Sequence, residues 1–247
     1  MTSIARPIAA LLVAAWLGSF APPALSGLAA SHWPAEWARH LAAGWPGLAP
    51  VLSVALGWLV AGALLRTLPG AAHAFRALAL VAGGVVLVRF TWLAGLAGNA
   101  ELFGALLAVA VWPAAERLPA AWLERLLVAA TAVTVLYLHL APHASAPHVQ
   151  RFHWLPFTDL ARPGGAGIAV ALACGKVFWY GGLVWLLAAA GLGASVAGLA
   201  VAAAVLVTEV LRLGTGPAVQ YMTTTDAAIA LATGLSIALL ARVGGGR

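Results

Sequence analysis

The chain has 247 residues, of which 63% are hydrophobic and only 8% are charged. Soluble domains carry about 25% charged residues, so this composition excludes an ordinary soluble domain. Apolar segments recur from end to end and predict a helical membrane protein. The 13 Lys and Arg outnumber the 7 Asp and Glu, but they stand singly between apolar runs. This pattern is typical of membrane topology signals and excludes a nucleic-acid surface.

Eight apolar segments separated by polar or Pro-rich links predict an all-α fold with about eight transmembrane helices. The expected helices are 8–20, 51–65, 75–96, 99–113, 121–140, 166–190, 195–213 and 226–241. The first of them resembles the apolar part of a signal peptide. The repeat described below predicts instead that it is retained as a short membrane helix.

An even number of spans places both termini on the same side of the membrane. The arginines expected on that side are Arg6, Arg66, Arg76, Arg117, Arg125, Arg242 and Arg247. Fewer arginines are expected on the other side, so the positive-inside rule predicts a cell-membrane protein with both termini in the cytoplasm.

A shift of 120 residues aligns the two halves of the sequence, and it places Trp58 on Phe178. Because the same offset aligns three pairs of segments, we expect an internal duplication. Residues 1–118 would form a first, degenerate four-helix repeat, and residues 119–247 a second. Four is an even number, so the two copies would point the same way across the membrane.

The same shift places Arg89 on Glu209, which predicts that these opposite charges approach each other across the axis between the repeats. Lys176 lies about ten residues, or roughly 15 Å, inside its helix. That depth is too great for easy snorkelling, so Lys176 requires an acidic partner. Glu209 and Asp226 are the two acids expected nearest to it.

Two acids and an arginine lie in otherwise apolar sequence where the seventh helix ends and the eighth begins. Glu209 and Arg212 are three residues apart, on one helix face. Ionisable groups at bilayer depth are functional candidates, which favours an outward-facing polar pocket. The alternatives are a local ion pair for Glu209 and Arg212, and a helix cap for Asp226.

Several short motifs follow one another in the second half of the sequence. Pro156-Phe157 comes first, Phe178 and Gly182 follow four residues apart, and Glu209 precedes Asp226. With these motifs, residues 140–241 resemble the VanZ-like membrane family, which is named after a teicoplanin-resistance factor. Other positions of the family pattern are replaced here, by Cys174, Tyr180, Arg212, Gln220 and Ala230.

The resemblance implies a cell-envelope membrane protein whose pocket binds a polar or lipid-linked ligand, such as an envelope precursor or a glycan, without catalysis. Membrane lipid is an expected partner, and nucleic acid is not. The pocket candidates are Glu209, Arg212, Asp226, Lys176, Asp159, Pro156 and Phe157. A small transporter or lipid-handling protein is one alternative, because charged residues within the membrane suit the coupling of transport to ion movement. A purely structural subunit is another alternative.

Cys174 and the histidines offer two further hypotheses. Cys174, followed 38 residues later by Arg212, is similar to the arrangement in exosortases, which are membrane transpeptidases. A nucleophilic thiolate needs a base, and the alternative is a small packed side chain. Four histidines invite a zinc hypothesis: His139, His143, His148 and His153. Their spacing fits no compact ligand set, so we expect interfacial or solvated histidines, no metal and no cofactor.

Overall fold

The computed structural model describes residues 2–20, 38, 42, 44–67, 73–92, 99–140, 152–153, 166–215 and 222–245. Within these residues the chain forms eight α-helices: α1 Thr2–Gly18, α2 Leu48–Leu65, α3 Ala74–Trp92, α4 Asn99–Glu116, α5 Ala120–Leu140, α6 Ala166–Ala189, α7 Ala194–Thr215 and α8 Thr225–Gly245. The all-helical fold is therefore confirmed. A short parallel pairing of β1 (Phe152–His153) with β2 (Met222–Thr223) was not predicted.

Several helix ends differ from the predicted ones by three to six residues: α1 begins at Thr2 and not at Ile8, and α8 ends at Gly245 and not at Ala241. The sequence predicted that the fourth helix stops at Pro113, whereas α4 continues through it to Glu116. Proline removes one backbone N–H, here the one that would bond the Val109 carbonyl in the preceding turn. The three residues after Pro113 remain helical, and the N–H of Arg117 bonds the Ala114 carbonyl. The helix therefore ends about one turn after the proline.

Within the described part of the chain, four helical stretches are long and apolar enough to cross a membrane: Leu48–Leu65, Ala120–Leu140, Ala169–Ala189 and Ala194–Leu211. Three shorter apolar stretches accompany them: Arg6–Gly18, Ala74–Leu87 and Thr225–Leu240. The outer faces carry large aliphatic side chains, with Leu80 75% exposed and Leu199 62% exposed. Apolar faces of this kind suit contact with lipid and not with water.

The hydrophobic core joins both halves of the chain. Trp16 of α1 packs against Trp58 of α2 and Phe178 of α6, with ring centroids 5.6 and 4.5 Å apart. A Cβ added at Gly181 of α6 would lie 2.5 Å from a methyl of Leu12 in α1. Residues 1–118 and 119–247 therefore share one core, and α1 is a packed part of it.

Gly198 of α7 and Gly234 of α8 bring the backbones of these two helices into contact. A Cβ at Gly198 would lie 2.7 Å from the Cα of Gly234, and one at Gly234 would lie 2.5 Å from the Cα of Gly198. Only glycine permits this backbone contact. Glu209 follows Gly198 by three turns of α7, and Asp226 precedes Gly234 by two turns of α8. The crossing therefore brings the two acids to the same end of the helix pair.

Candidate functional site

The helices of the second half meet at one end and bring five polar side chains together. The last turn of α5 packs against α6 and α7, and α8 packs against α6 and α7. The five side chains are His139, Lys176, Tyr180, Glu209 and Asp226. We call this cluster the polar network.

Hydrogen bonds connect the network from α7 to α8. His139 Nδ1 lies 3.1 Å from Glu209 Oε1, and His139 Nε2 lies 2.8 Å from the Tyr180 hydroxyl oxygen. The Tyr180 hydroxyl donates to Asp226 Oδ2 at 2.8 Å. Lys176 Nζ forms an ion pair with the other carboxylate oxygen, Asp226 Oδ1. The order is thus Glu209, His139, Tyr180, Asp226, Lys176.

Four members of the network are buried, and the fifth reaches the surface. His139, Tyr180, Glu209 and Asp226 are between 4% and 8% exposed. The side chain of Lys176 is 24% exposed. A buried charge is tolerated only when it is paired and hydrogen-bonded, and the network provides such partners. Lys176 is therefore the most exposed member of the network.

The Tyr180 hydroxyl determines the donor roles in the network. Because it donates its hydrogen to Asp226 Oδ2, its oxygen accepts a hydrogen bond from His139 Nε2–H. His139 Nε2 also lies 3.6 Å from Asp226 Oδ2, while Nδ1 faces Glu209 Oε1. His139 therefore contacts both carboxylates of the network directly.

Three of these side chains are also possible metal ligands. His139, Glu209 and Asp226 each offer one ligand atom, and the three atoms lie within 4.8 Å of one another. Imidazole and carboxylate are ligands that zinc accepts. Both ring nitrogens of His139 and both oxygens of Asp226 contact protein groups, however. A metal at this place would have to displace Tyr180 or Lys176.

The structure brings together three of the residues predicted for the pocket. Glu209 and Asp226 join the network, and Lys176 pairs with Asp226. The other predicted side chains lie outside the described part of the chain: Arg89, Pro156, Phe157, Asp159 and Arg212. The pairing of Glu209 with Arg89 or Arg212 therefore stays a prediction, while the described partner of Glu209 is His139.

Two network residues were missed by the sequence reasoning. His139 was expected to be interfacial or solvated, which is wrong: it is 6% exposed and bonded through both ring nitrogens. It is the one histidine of the four that lies in the apolar α5, and this was an available signal. Tyr180 was considered only as a replaced family residue. Its spacing of four from Lys176 places both on one face of α6.

Cys174 has a packing contact. Its side chain is half-buried, and a Cβ added at Gly18 of α1 would lie 2.9 Å from its Sγ. Both ring nitrogens of His139, which is buried one helix away, are bonded to Glu209 and Tyr180. The hypothesis of a thiolate nucleophile stays a prediction.

Comparison with known proteins gives no family assignment. No protein-family model matches the chain, and neither curated proteins nor solved structures give a match. The resemblance to VanZ-like proteins therefore rests on the motifs quoted above, and the site is interpreted from its own chemistry.

Proposed function

We propose that this chain is a multi-pass membrane protein that binds a polar or lipid-linked ligand at the polar network. The observation that carries the proposal is a continuous set of five hydrogen-bonded or ion-paired side chains among apolar helices. Replacing buried ion pairs by well-packed apolar residues is often neutral or stabilising, so stability alone does not account for such a network. Ionisable groups in membrane segments typically mark sites of binding or transport.

The proposal includes the arrangement in the membrane. All eight helices would span a cell membrane as two parallel four-helix repeats, with both termini in the cytoplasm. The starts of α3 and α7, Ala74 and Ala194, are 120 residues apart, which supports the repeat. Packing between the halves supports it too, because α1 packs against α6 and α5 packs against α2. These are equivalent contacts if α1 corresponds to α5 and α2 to α6.

The ligand would be a component of the cell envelope that approaches the network from outside. The VanZ-like motifs support this part of the proposal, since Glu209 and Asp226 occupy two of the matching positions. The partial exposure of the Lys176 side chain supports this part as well, because its ammonium group is not fully enclosed by the helices. No bond in the ligand needs to be broken for this role.

A test is to purify the full chain directly into nanodiscs of native lipid and to identify bound molecules by native mass spectrometry. We expect one polar or lipid-linked species to be enriched at least about tenfold over the surrounding membrane, which corresponds to about 1.4 kcal/mol of preference. Glu209→Gln should lose this species, whereas Glu116→Gln, at an exposed position, should retain it. If the wild-type protein carries only the composition of the bulk membrane, the proposal is wrong.

A proton-linked transporter is the second candidate. The specific observation is the unbroken set of contacts from Glu209 to Lys176, because chains of acidic and histidine side chains form proton relays in transporters. It predicts that proteoliposomes containing the protein accumulate the identified species when a pH gradient is imposed. Binding without accumulation would leave only the first function.

A further inference from the structure

We propose that His139, Tyr180 and Asp226 bind one divalent transition metal ion of the zinc class. Glu209 positions the imidazole and is not itself a ligand. A metal held directly by Glu209 would have to displace Tyr180 or Lys176, whereas this set uses Tyr180 as a ligand and keeps the ion pair of Lys176 with Asp226. The inference goes beyond the proposed function, and it does not require that an envelope ligand binds at the network.

The three ligand atoms form a small triangle. The Tyr180 oxygen lies 2.8 Å from His139 Nε2 and 2.8 Å from Asp226 Oδ2, and these last two atoms are 3.6 Å apart. A triangle of this size has a point about 2.0–2.1 Å from all three corners, which is the length of zinc bonds to nitrogen and oxygen. Tetrahedral ligands at that bond length are about 3.3–3.4 Å apart, so a shift of the Tyr180 oxygen by about 0.6 Å completes the geometry. A metal ion therefore fits where hydrogen bonds connect the three side chains.

Glu209 lies where a metal-binding histidine needs its second partner. A histidine that binds a metal through one ring nitrogen usually donates its other N–H to a carboxylate or a carbonyl, which fixes the tautomer and the orientation of the ring. His139 Nδ1 lies 3.1 Å from Glu209 Oε1, while Nε2 faces Tyr180. A neutral ring with its hydrogen on Nδ1 donates to Glu209 and presents the lone pair of Nε2 to the metal. Glu209 is thus a positioning residue for the imidazole.

The ligands come from three packed helices. His139 lies in the last turn of α5, Tyr180 in α6 and Asp226 in the first turn of α8, and α6 packs against both α5 and α8. The three residues are between 4% and 8% exposed, so the ligand atoms are held in place by the protein around them. Lys176, whose side chain is 24% exposed, pairs with the other oxygen of Asp226. An ion that enters along Lys176 therefore meets a ligand carboxylate first.

The charges of the site suit a divalent ion. A metal ligand must lose the proton on its donor atom, so Tyr180 binds as a phenolate and releases its proton to solvent. In the bound state the network then has three negative groups, Tyr180, Glu209 and Asp226. The divalent ion and the Lys176 ammonium group supply three positive charges. The sum is zero, which matters because uncompensated charge among apolar helices is strongly unfavourable.

The test is metal binding by the full chain in nanodiscs, with the affinity tag removed and metal stripped by a chelator. Zn²⁺ is titrated against a chromophoric competitor, and wild-type protein should bind one ion per chain. Tyr180→Phe and Asp226→Asn each alter one ligand, so each should weaken binding at least about tenfold. The matched controls Tyr137→Phe and His73→Gln, at exposed positions, should bind Zn²⁺ as the wild type does.

Two spectra distinguish a ligand from a structural residue. Zn²⁺ should produce the ultraviolet difference spectrum of a tyrosinate, which Tyr180→Phe abolishes and Tyr137→Phe retains. Co²⁺ should give visible d–d bands, and Glu209→Gln should keep these bands while weakening binding about 10–100-fold, as the loss of a positioning partner does. If Asp226→Asn fails to fold, judged by circular dichroism, Tyr180→Phe and its tyrosinate spectrum still test the site.

The inference is wrong if the wild type binds no Zn²⁺, if Tyr180→Phe binds as tightly as Tyr137→Phe, or if no tyrosinate forms. A changed Co²⁺ spectrum in Glu209→Gln would make Glu209 a ligand and would also refute this set. Metal binding without any enriched envelope species in the nanodiscs would support this inference and defeat the proposed function. An enriched species without metal binding would defeat this inference alone.

Discussion

The His139–Glu209 pair allows the sharpest test of the network as an energetic unit. Both side chains are buried, and His139→Leu removes the imidazole that faces the Glu209 carboxylate. Breaking a buried charged pair on one side typically costs about 3–5 kcal/mol of stability. Glu209→Leu should be milder, at about 1–3 kcal/mol, because it leaves a buried ring nitrogen of His139 without its partner and not a buried carboxylate. The structure therefore predicts an asymmetry between the two single variants.

The double variant measures the coupling directly. With both partners replaced by leucine, no charge remains at this contact, so the loss should be smaller than the sum of the single losses. We expect a coupling of more than about 1 kcal/mol between His139 and Glu209. Unfolding in mixed micelles of dodecylmaltoside and dodecyl sulfate, followed by tryptophan fluorescence, reports the stability of all variants.

Matched controls come from exposed positions of the same residue types. His73→Leu and Glu116→Leu should each change stability by no more than about 0.5 kcal/mol. A parallel cycle on Lys176 and Glu209 should be more nearly additive, because the ion-pair partner of Lys176 is Asp226. Additive losses for His139 and Glu209, or a larger loss for Glu209→Leu than for His139→Leu, would refute the predicted coupling and asymmetry of this pair.

Three further predictions concern the helices around the polar network and their orientation in the membrane. Gly198→Leu should separate α7 from α8 and lower the free energy of unfolding by at least about 1–3 kcal/mol, as overpacking does. The control is Gly193→Ala, where an added Cβ meets nothing within 4 Å; it should leave the free energy of unfolding unchanged in the same assay. The intact mass of the purified protein should include α1, and loss of about 20–30 residues, the length of a signal peptide, would show that α1 is cleaved. A cysteine at Ala144 should react with an impermeant reagent from outside intact cells, and labelling only after lysis would reverse the proposed orientation.

The helices could be predicted from the sequence because each apolar segment is bounded by a local signal. Runs of about twenty apolar residues need no tertiary information to be recognised, and most observed ends lie within a few residues of the predicted ones. The end at Pro113 was misplaced because proline was treated as a stop. Pro113 lacks the N–H that would bond the Val109 carbonyl, but the residues after it continue the helix to Glu116.

The site was only partly predictable, for a reason that differs between its members. Lys176, Glu209 and Asp226 are conspicuous because charges are rare in this sequence, and depth alone indicated that they need partners. His139 lies one residue before the end of α5. Whether a side chain at a helix end is solvated or buried depends on which helices surround that end. The sequence of α5 alone does not contain this information, so the central residue of the network was missed.

If the two halves arose by duplication, the first half contributes apolar packing and the second half contributes the polar network. The 120-residue offset places Tyr180 on Val60 and His139 on Ser19. Val60 is 1% exposed, and a Cβ added at Gly182 of α6 would lie 3.3 Å from it. Ser19 bonds the Trp16 carbonyl within its own chain segment. Where the second half has His139 and Tyr180 of the polar network, the first half has a packed aliphatic side chain and a local turn. The first half thus supports α6 with apolar contacts, and this support holds Lys176 and Tyr180 in the register that the network requires.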